Sequence, residues 1–191
     1  MLSSARMLQR RALLTGLGAL GATLALARAA AAGTARPVSL SELVRASTHV
    51  LRGLPLEALS RWESASDGRR IVTYTRVRAD VAIAGATPPD AEVLVRTLGG
   101  QVDDIGQVVH GEAFLRVNEA CLLFLQPGMG QANRVVAMAQ GHYPVQSDAA
   151  GVLRLSTSPN LPHLLGSGDS AVHQLVGLSL EQATSLIRAQ R

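Results

Sequence analysis

The chain is short of the residues that usually advertise a function. It has one cysteine in 191 residues, so no internal disulfide can form. It has no lysine: all 18 of its basic residues are arginine. Phe, Trp and Tyr make up only 3% of it. It has no run of apolar residues long enough for a membrane helix, which needs about 20. None of the five histidines sits in an H-x-H or HExxH spacing, so no zinc set can be read from the sequence.

What is present begins with an export signal. Arg6, Arg10 and Arg11 form a basic head, and Ala12 to Ala27 is an apolar run of sixteen residues softened by Gly16, Gly18 and Gly21. Ala29 to Ala32 then offers small-residue cleavage sites, and this order of parts is that of a secretory signal peptide. Gln9-Arg10-Arg11-Ala12-Leu13-Leu14 is similar to the twin-arginine form, with the ordinary secretory route as the alternative. The expected product is a periplasmic or secreted domain of residues 33–191. Of the 18 arginines, Arg6, Arg10, Arg11 and Arg28 leave with the signal, whereas all 14 acidic residues follow it. The remainder is balanced, so the pI near 10.5 belongs to the whole chain. Nucleic acid and anionic membrane are thus not expected partners, since both need a basic surplus or face. The 159 residues left of 191 suffice for one domain that buries roughly 70% of its unfolded surface.

Along that domain the pattern is mostly strand. Ser39-Leu40-Ser41-Glu42 has the form of a capping box, and Leu43 and Val44 continue at helical spacing. His49 to Gly53 reads as a strand ending near Pro55; Leu56 to Trp62 is strand or a turn of helix. Asp67-Gly68 marks a turn. Arg69 to Ile83 alternates cleanly, with Ile71, Thr73, Thr75, Val77, Ala79 and Val81 on one face and a half-charged second face. Fifteen residues at about 3.3 Å each would run about 50 Å, so this strand must coil or bend. Further strands are expected at 92–98, 112–117, 120–125, 134–140, 142–146 and 152–155. Ser156 to Ser170 reads as an irregular excursion. A second capping box, Ser179 to Gln182, opens a C-terminal helix over 180–190. The sum is an all-β domain, a small OB-like barrel or sandwich of about seven to eight strands with a helix at each end.

The chemistry concentrates in Leu98 to Leu125, above all in Gly99–Gly111, a stretch that fits neither helical nor strand periodicity. An irregular segment of this length in a small domain points to a working loop. Asp103, Asp104, Gln107, His110 and Glu112 are its candidate binding residues. Two residues apart on extended chain, His110 and Glu112 would share a side, a geometry that permits acid–base work. The acids have no calcium-loop spacing, and Cys121 lies in an apolar strand that suits a core thiol. Gly168-Asp169-Ser170 looks like the serine segment of chymotrypsin-like proteases, but Ala171-Val172 stands where that family has two glycines.

The pieces SLSELVRASTHVLRG, RRIVTYTRVRADVAI, VRTLGGQVDDIGQVVHGEAFLRVNEACLLFL and VVAMAQGHYPV together resemble a family of exported bacterial proteins without an assigned activity. The N-terminal pieces are also similar to netrin-like modules of the tissue-inhibitor type, which are OB-fold barrels, although the cysteines of those modules are absent. The resemblance implies a small barrel and export, and carries over no catalytic residue. The expected function is that of a non-enzymatic module, without metal or cofactor, that binds a protein or small-molecule partner through Gly99–Gly111. A hydrolase or metal-dependent enzyme built on His110 and Glu112 is one alternative, and an inhibitor of an extracellular protease another. Replacing Arg10-Arg11 by Lys-Lys is expected to block export in a fractionation experiment; normal export of that variant would assign the signal to the general secretory route.

Overall fold

The computed structural model describes residues 33–85, 91–166 and 168–191, so the expected signal at 1–32 lies outside the described residues. Of the two units into which the chain divides, residues 33–191 form the one described below. In chain order its elements are β1 (Thr34–Ala35), α1 (Leu40–Ala46), β2 (His49–Ala65), β3 (Gly68–Ala84) and β4 (Glu92–Leu98). A small hairpin follows, β5 (Gly100–Val102) and β6 (Ile105–Gln107), then β7 (Cys121–Pro127) and β8 (Asn133–Val135). After a 3₁₀ turn (Met138–Gly141) come β9 (His142–Ser147), β10 (Leu153–Leu155), β11 (His163–Leu164), α2 (Ala171–Leu175) and α3 (Leu180–Arg188). The domain is mostly β, with a seven-stranded main sheet and three helices, as the alternating patterns imply. Among the described residues no helix is long and apolar enough to cross a membrane.

The main sheet has the order β10-β9-β7-β2-β3-β4-β8, and β8 also pairs with β7. Hydrogen bonding therefore runs in a circuit from β7 through β2, β3, β4 and β8 back to β7. The β7–β8 side spans Leu125–Val135 to Pro127–Asn133, whereas the β4–β8 side is a single parallel pair, Val95–Asn133. β7 is the hub. Cys121, Leu122, Leu123, Phe124 and Leu125 are all at most 2% exposed. Leu122 and Phe124 face a core shared with Leu43, Leu175 and Ile187 of the three helices, where the Tyr143 ring meets Phe124 edge-on at 6.0 Å. Cys121, Leu123 and Leu125 face the interior of the circuit, against Leu51, Val77 and Val95. Burial on both faces is why this strand reads as an unbroken apolar run.

β2 does not stop at Pro55. It continues to Ala65 and forms with β3 a hairpin of two 17-residue strands. The reason lies in which way Pro55 faces. β7 covers β2 only from His49 to Gly53, so beyond Gly53 the outer side of β2 is an edge. The Pro55 carbonyl points to that edge and accepts from the Asn118 N–H at 2.9 Å. The N–H that proline lacks would have pointed the same way, so no ladder bond with β3 is missing. Three register shifts, after Val50, Arg52 and Pro55, give the hairpin the bends its length demands.

Other expectations are also revised. Residues 112–117 are not a strand: their Ala113 and Leu115 point into the circuit, but their backbone joins no strand ladder. The expected strand at 134–140 shrinks to β8, because Ala137 and Met138 turn left-handed (φ 53° and 55°) into the 3₁₀ turn. The stretch 156–170 contains β11, parallel to β1, and α2 follows unannounced. Both capping boxes form as read, Ser39 with Glu42 and Ser179 with Gln182. Truncating the hub through Leu123→Ala is expected to cost about 2–5 kcal/mol in urea unfolding.

Candidate functional site

The hairpin β2–β3 overhangs the start of β7, since Gly53 is the last β2 residue opposite Cys121. On the inner face of the overhang the side chains are small or hydroxylated: Ala58 and Ser60 on β2, Thr73 and Thr75 on β3, Thr97 on β4. Two chain segments roof this face.

The first roof is the irregular stretch after β4, which proves to be an ordered hairpin. Gly99 and Gly100 (φ 88° and 132°) reverse the chain over the sheet. A Cβ on Gly100 would overlap the Thr73 and Ser60 hydroxyls, so the backbone lies flat against this pair. A chain of three hydrogen bonds fixes it: the Gln101 N–H donates to Ser60 Oγ (3.4 Å), Ser60 to Thr73 Oγ1 (2.9 Å), and Thr73 to the Gly99 carbonyl (2.7 Å). Gln107 completes the clamp, its Oε1 accepting from the Ile71 N–H at 2.7 Å. The second roof is 112–117. Ala113 and Leu115 are buried, while Phe114 stands out 55% exposed under the Arg116 guanidinium (5.8 Å). Asn160 holds the two roofs in place, its amide donating to the Val109 and Glu112 carbonyls (2.9 and 3.0 Å).

Between floor and roofs lies a cavity of about 780 Å³. Val108, Phe114, Leu115 and Val117 make its apolar walls; Ser60, Thr73, Thr75 and Thr97 make its hydroxylated floor. Thr75 and Thr97, 1% and 6% exposed, are the most deeply set of these floor residues. Glu112 also lines the cavity. Its carboxylate accepts from the Ala113 N–H (2.9 Å) and the Leu98 N–H (3.3 Å), and burial raises its pKa above the ordinary range.

Of the five residues singled out from the sequence, Gln107 and Glu112 line the cavity and the other three do not. Asp103 and Asp104 form the exposed tip of the β5–β6 hairpin, and His110 is exposed while Glu112 is buried. The side-sharing expected of His110 and Glu112 fails because 110–111 is a turn rather than extended chain. Among the described residues no three His, Cys, Asp or Glu side chains gather as a metal site would require. Cys121 is buried, and burial pushes its thiol up to about 12, so it is a core residue. Ser170 is likewise buried, at the start of α2.

Two polar groupings escaped the sequence reading. On the outer face of the same strands, Glu63 accepts from Arg96 (2.6 and 3.1 Å) and from the Tyr74 hydroxyl, and the Arg61 guanidinium lies over the Tyr74 ring at 4.3 Å. Arg96 and Tyr74 hold the Glu63 carboxyl down to about 2. Elsewhere, His142 Nδ1 meets Ser158 Oγ at 2.9 Å, both buried. Comparison of the chain with protein-family profiles, with curated proteins and with solved structures returned no match.

Burial lowers His142 from 6.5 to about 4, so the folded state holds it neutral where the unfolded chain protonates it. Its contribution is present above pH 6.5 and is lost as pH falls towards 4. Glu112 works in the opposite sense, since its raised pKa favours the fold at lower pH. The melting temperature is therefore expected to fall between pH 6.5 and 4, and His142→Gln is expected to flatten that fall.

Proposed function

We propose that the domain is an exported, non-enzymatic binding module, and that the cavity over the β2–β3–β4 overhang takes a small ligand or the projecting group of a partner. The observation that carries the reading is the pairing of apolar walls with a floor of Thr75 and Thr97 and the buried Glu112. Ligand sites are mostly apolar hollows of roughly 300–1,000 Å³ with a few convergent polar groups, and the mouth of a small barrel is one of their usual places.

The strand circuit supports the architectural half of the proposal. Five strands in the order β7-β2-β3-β4-β8, with a weak parallel seam between β4 and β8, suit a small, partly open OB-like barrel. Its overhang would then be the binding face. Export rests on the basic head, apolar middle and small-residue exit of residues 1–32. A hydrolase built on His110 and Glu112 is less well supported, because His110 is exposed in a turn while Glu112 is buried.

The cavity can be probed with N-phenyl-1-naphthylamine, an uncharged apolar dye that brightens on leaving water. Saturable brightening is expected with the wild type. Ala58→Trp, at an exposed residue of the cavity floor, is expected to abolish it while leaving the circular dichroism spectrum unchanged.

A further inference from the structure

The cavity's polar groups also carry information on the charge of its occupant. Glu112 is the acidic residue lining it, and its carboxylate is met by two backbone N–H groups and, among the described residues, by no cation. The nearest candidate, Arg96, is turned to the far face of β4, where Glu63 takes its Nε and Nη2. A buried carboxylate so placed is under-compensated, since two neutral donors replace a hydration shell without neutralising the charge. The basic residue lining the cavity is Arg116. It lies at the rim, its side chain 53% exposed and paired with Glu119 at 3.5 Å, over the Phe114 ring. The interior of the hollow is therefore acidic and its basic group is external and already paired.

The geometry points to an amphipathic primary amine as the occupant. Its ammonium would donate to the Glu112 carboxylate and to the Thr97 hydroxyl, which precedes the Leu98 N–H that Glu112 already accepts. Its apolar body would lie against Val108, Phe114 and Leu115. An ammonium is a compact charge with three donors, which matches one carboxylate and nearby hydroxyls. A neutral alcohol would satisfy the hydroxyls but leave Glu112 uncompensated, and a carboxylate ligand would face it as a like charge. The inference rests on the cavity being a binding site, and it adds the ligand's chemical class.

The test is displacement of N-phenyl-1-naphthylamine from the wild type by octylamine, octanol and octanoate, repeated with octylamine and octanol on Glu112→Gln. Octylamine is expected to displace the dye at a concentration at least about tenfold lower than octanol, with octanoate weakest, as expected for a desolvated charge pair. Glu112→Gln is expected to erase the advantage of octylamine over octanol. Equal displacement by octylamine and octanol, or strongest displacement by octanoate, would overturn the amine assignment while leaving the binding site standing. An octylamine advantage that persists in Glu112→Gln would overturn the role given to that residue. No dye binding by the folded wild type would overturn the amine assignment together with the binding reading. Should Glu112→Gln fail to fold, the three octyl compounds on the wild type decide the ligand class by themselves.

Discussion

The whole domain depends on β7 being buried on both faces. A strand in that position can have no open edge, because unpaired backbone groups in a dry core are costly. β2 and β9 flank its first half, and β2 and β8 its second. Once Leu122 and Phe124 have drawn the three helices onto one face, the other face must be closed by strands. The circuit through β3, β4 and β8 does this, and Cys121, Leu123 and Leu125 fill its interior. Position along β7 then decides where the filling stops. Beyond Cys121 there is no β7 side chain to oppose the β2–β3 hairpin, so the chain leading into β7 must supply one. Ala113 and Leu115 do so in part, and the space they leave open is the cavity.

The same overhang explains why the floor is hydroxylated. Threonine and serine are tolerated on a pleated surface, and the β-branched threonines favour it. At Ser60 and Thr73 the hydroxyls are fully engaged in holding the β5–β6 hairpin down, so they belong to the construction of the site. Thr75 and Thr97 lie deeper and take no part in that clamp, which separates the residues that shape the hollow from those that can read its contents. Gln107 falls on the constructional side, because its Oε1 is committed to the Ile71 N–H.

What could be read from the sequence was what local physics decides. The capping boxes at Ser39 and Ser179, the alternation of 69–83 and the unbroken run of 121–125 each depend on neighbours in the chain, and each appears in the structure. The misreadings have a common cause in tertiary pairing. Pro55 looks like a strand end only if its missing N–H faces a neighbour, and the direction it faces follows from where β7 stops. Residues 112–117 do alternate, but the alternation serves a plug rather than a ladder. In the site, Gln107 and Glu112 line the cavity, whereas the β5–β6 turn and the turn at 110–111 place Asp103, Asp104 and His110 in solvent. Thr75 and Thr97 gave no signal, because a threonine in a strand looks the same whether it lines a hollow or faces water. The pairing of Glu63 with Arg96, 33 residues apart, was equally invisible.

Glu63 and Glu112 show how one small sheet sets two carboxylates to different uses. Both lie against β4, one on each side of it. Glu63 meets the guanidinium of Arg96 and the hydroxyl of Tyr74, and is held ionised down to about pH 2. By occupying Arg96, it also takes away the cation that would otherwise be nearest to Glu112. Glu112 is left with the field of Arg96 across the strand but not its hydrogen bonds, and its pKa rises because desolvation outweighs the two N–H groups it accepts. Were Arg96 to turn to the inner face, the cavity would lose its uncompensated charge and Glu63 its strongest partner. The outer ion pair thus maintains the electrostatic character of the inner hollow, and a single strand, β4, couples the two.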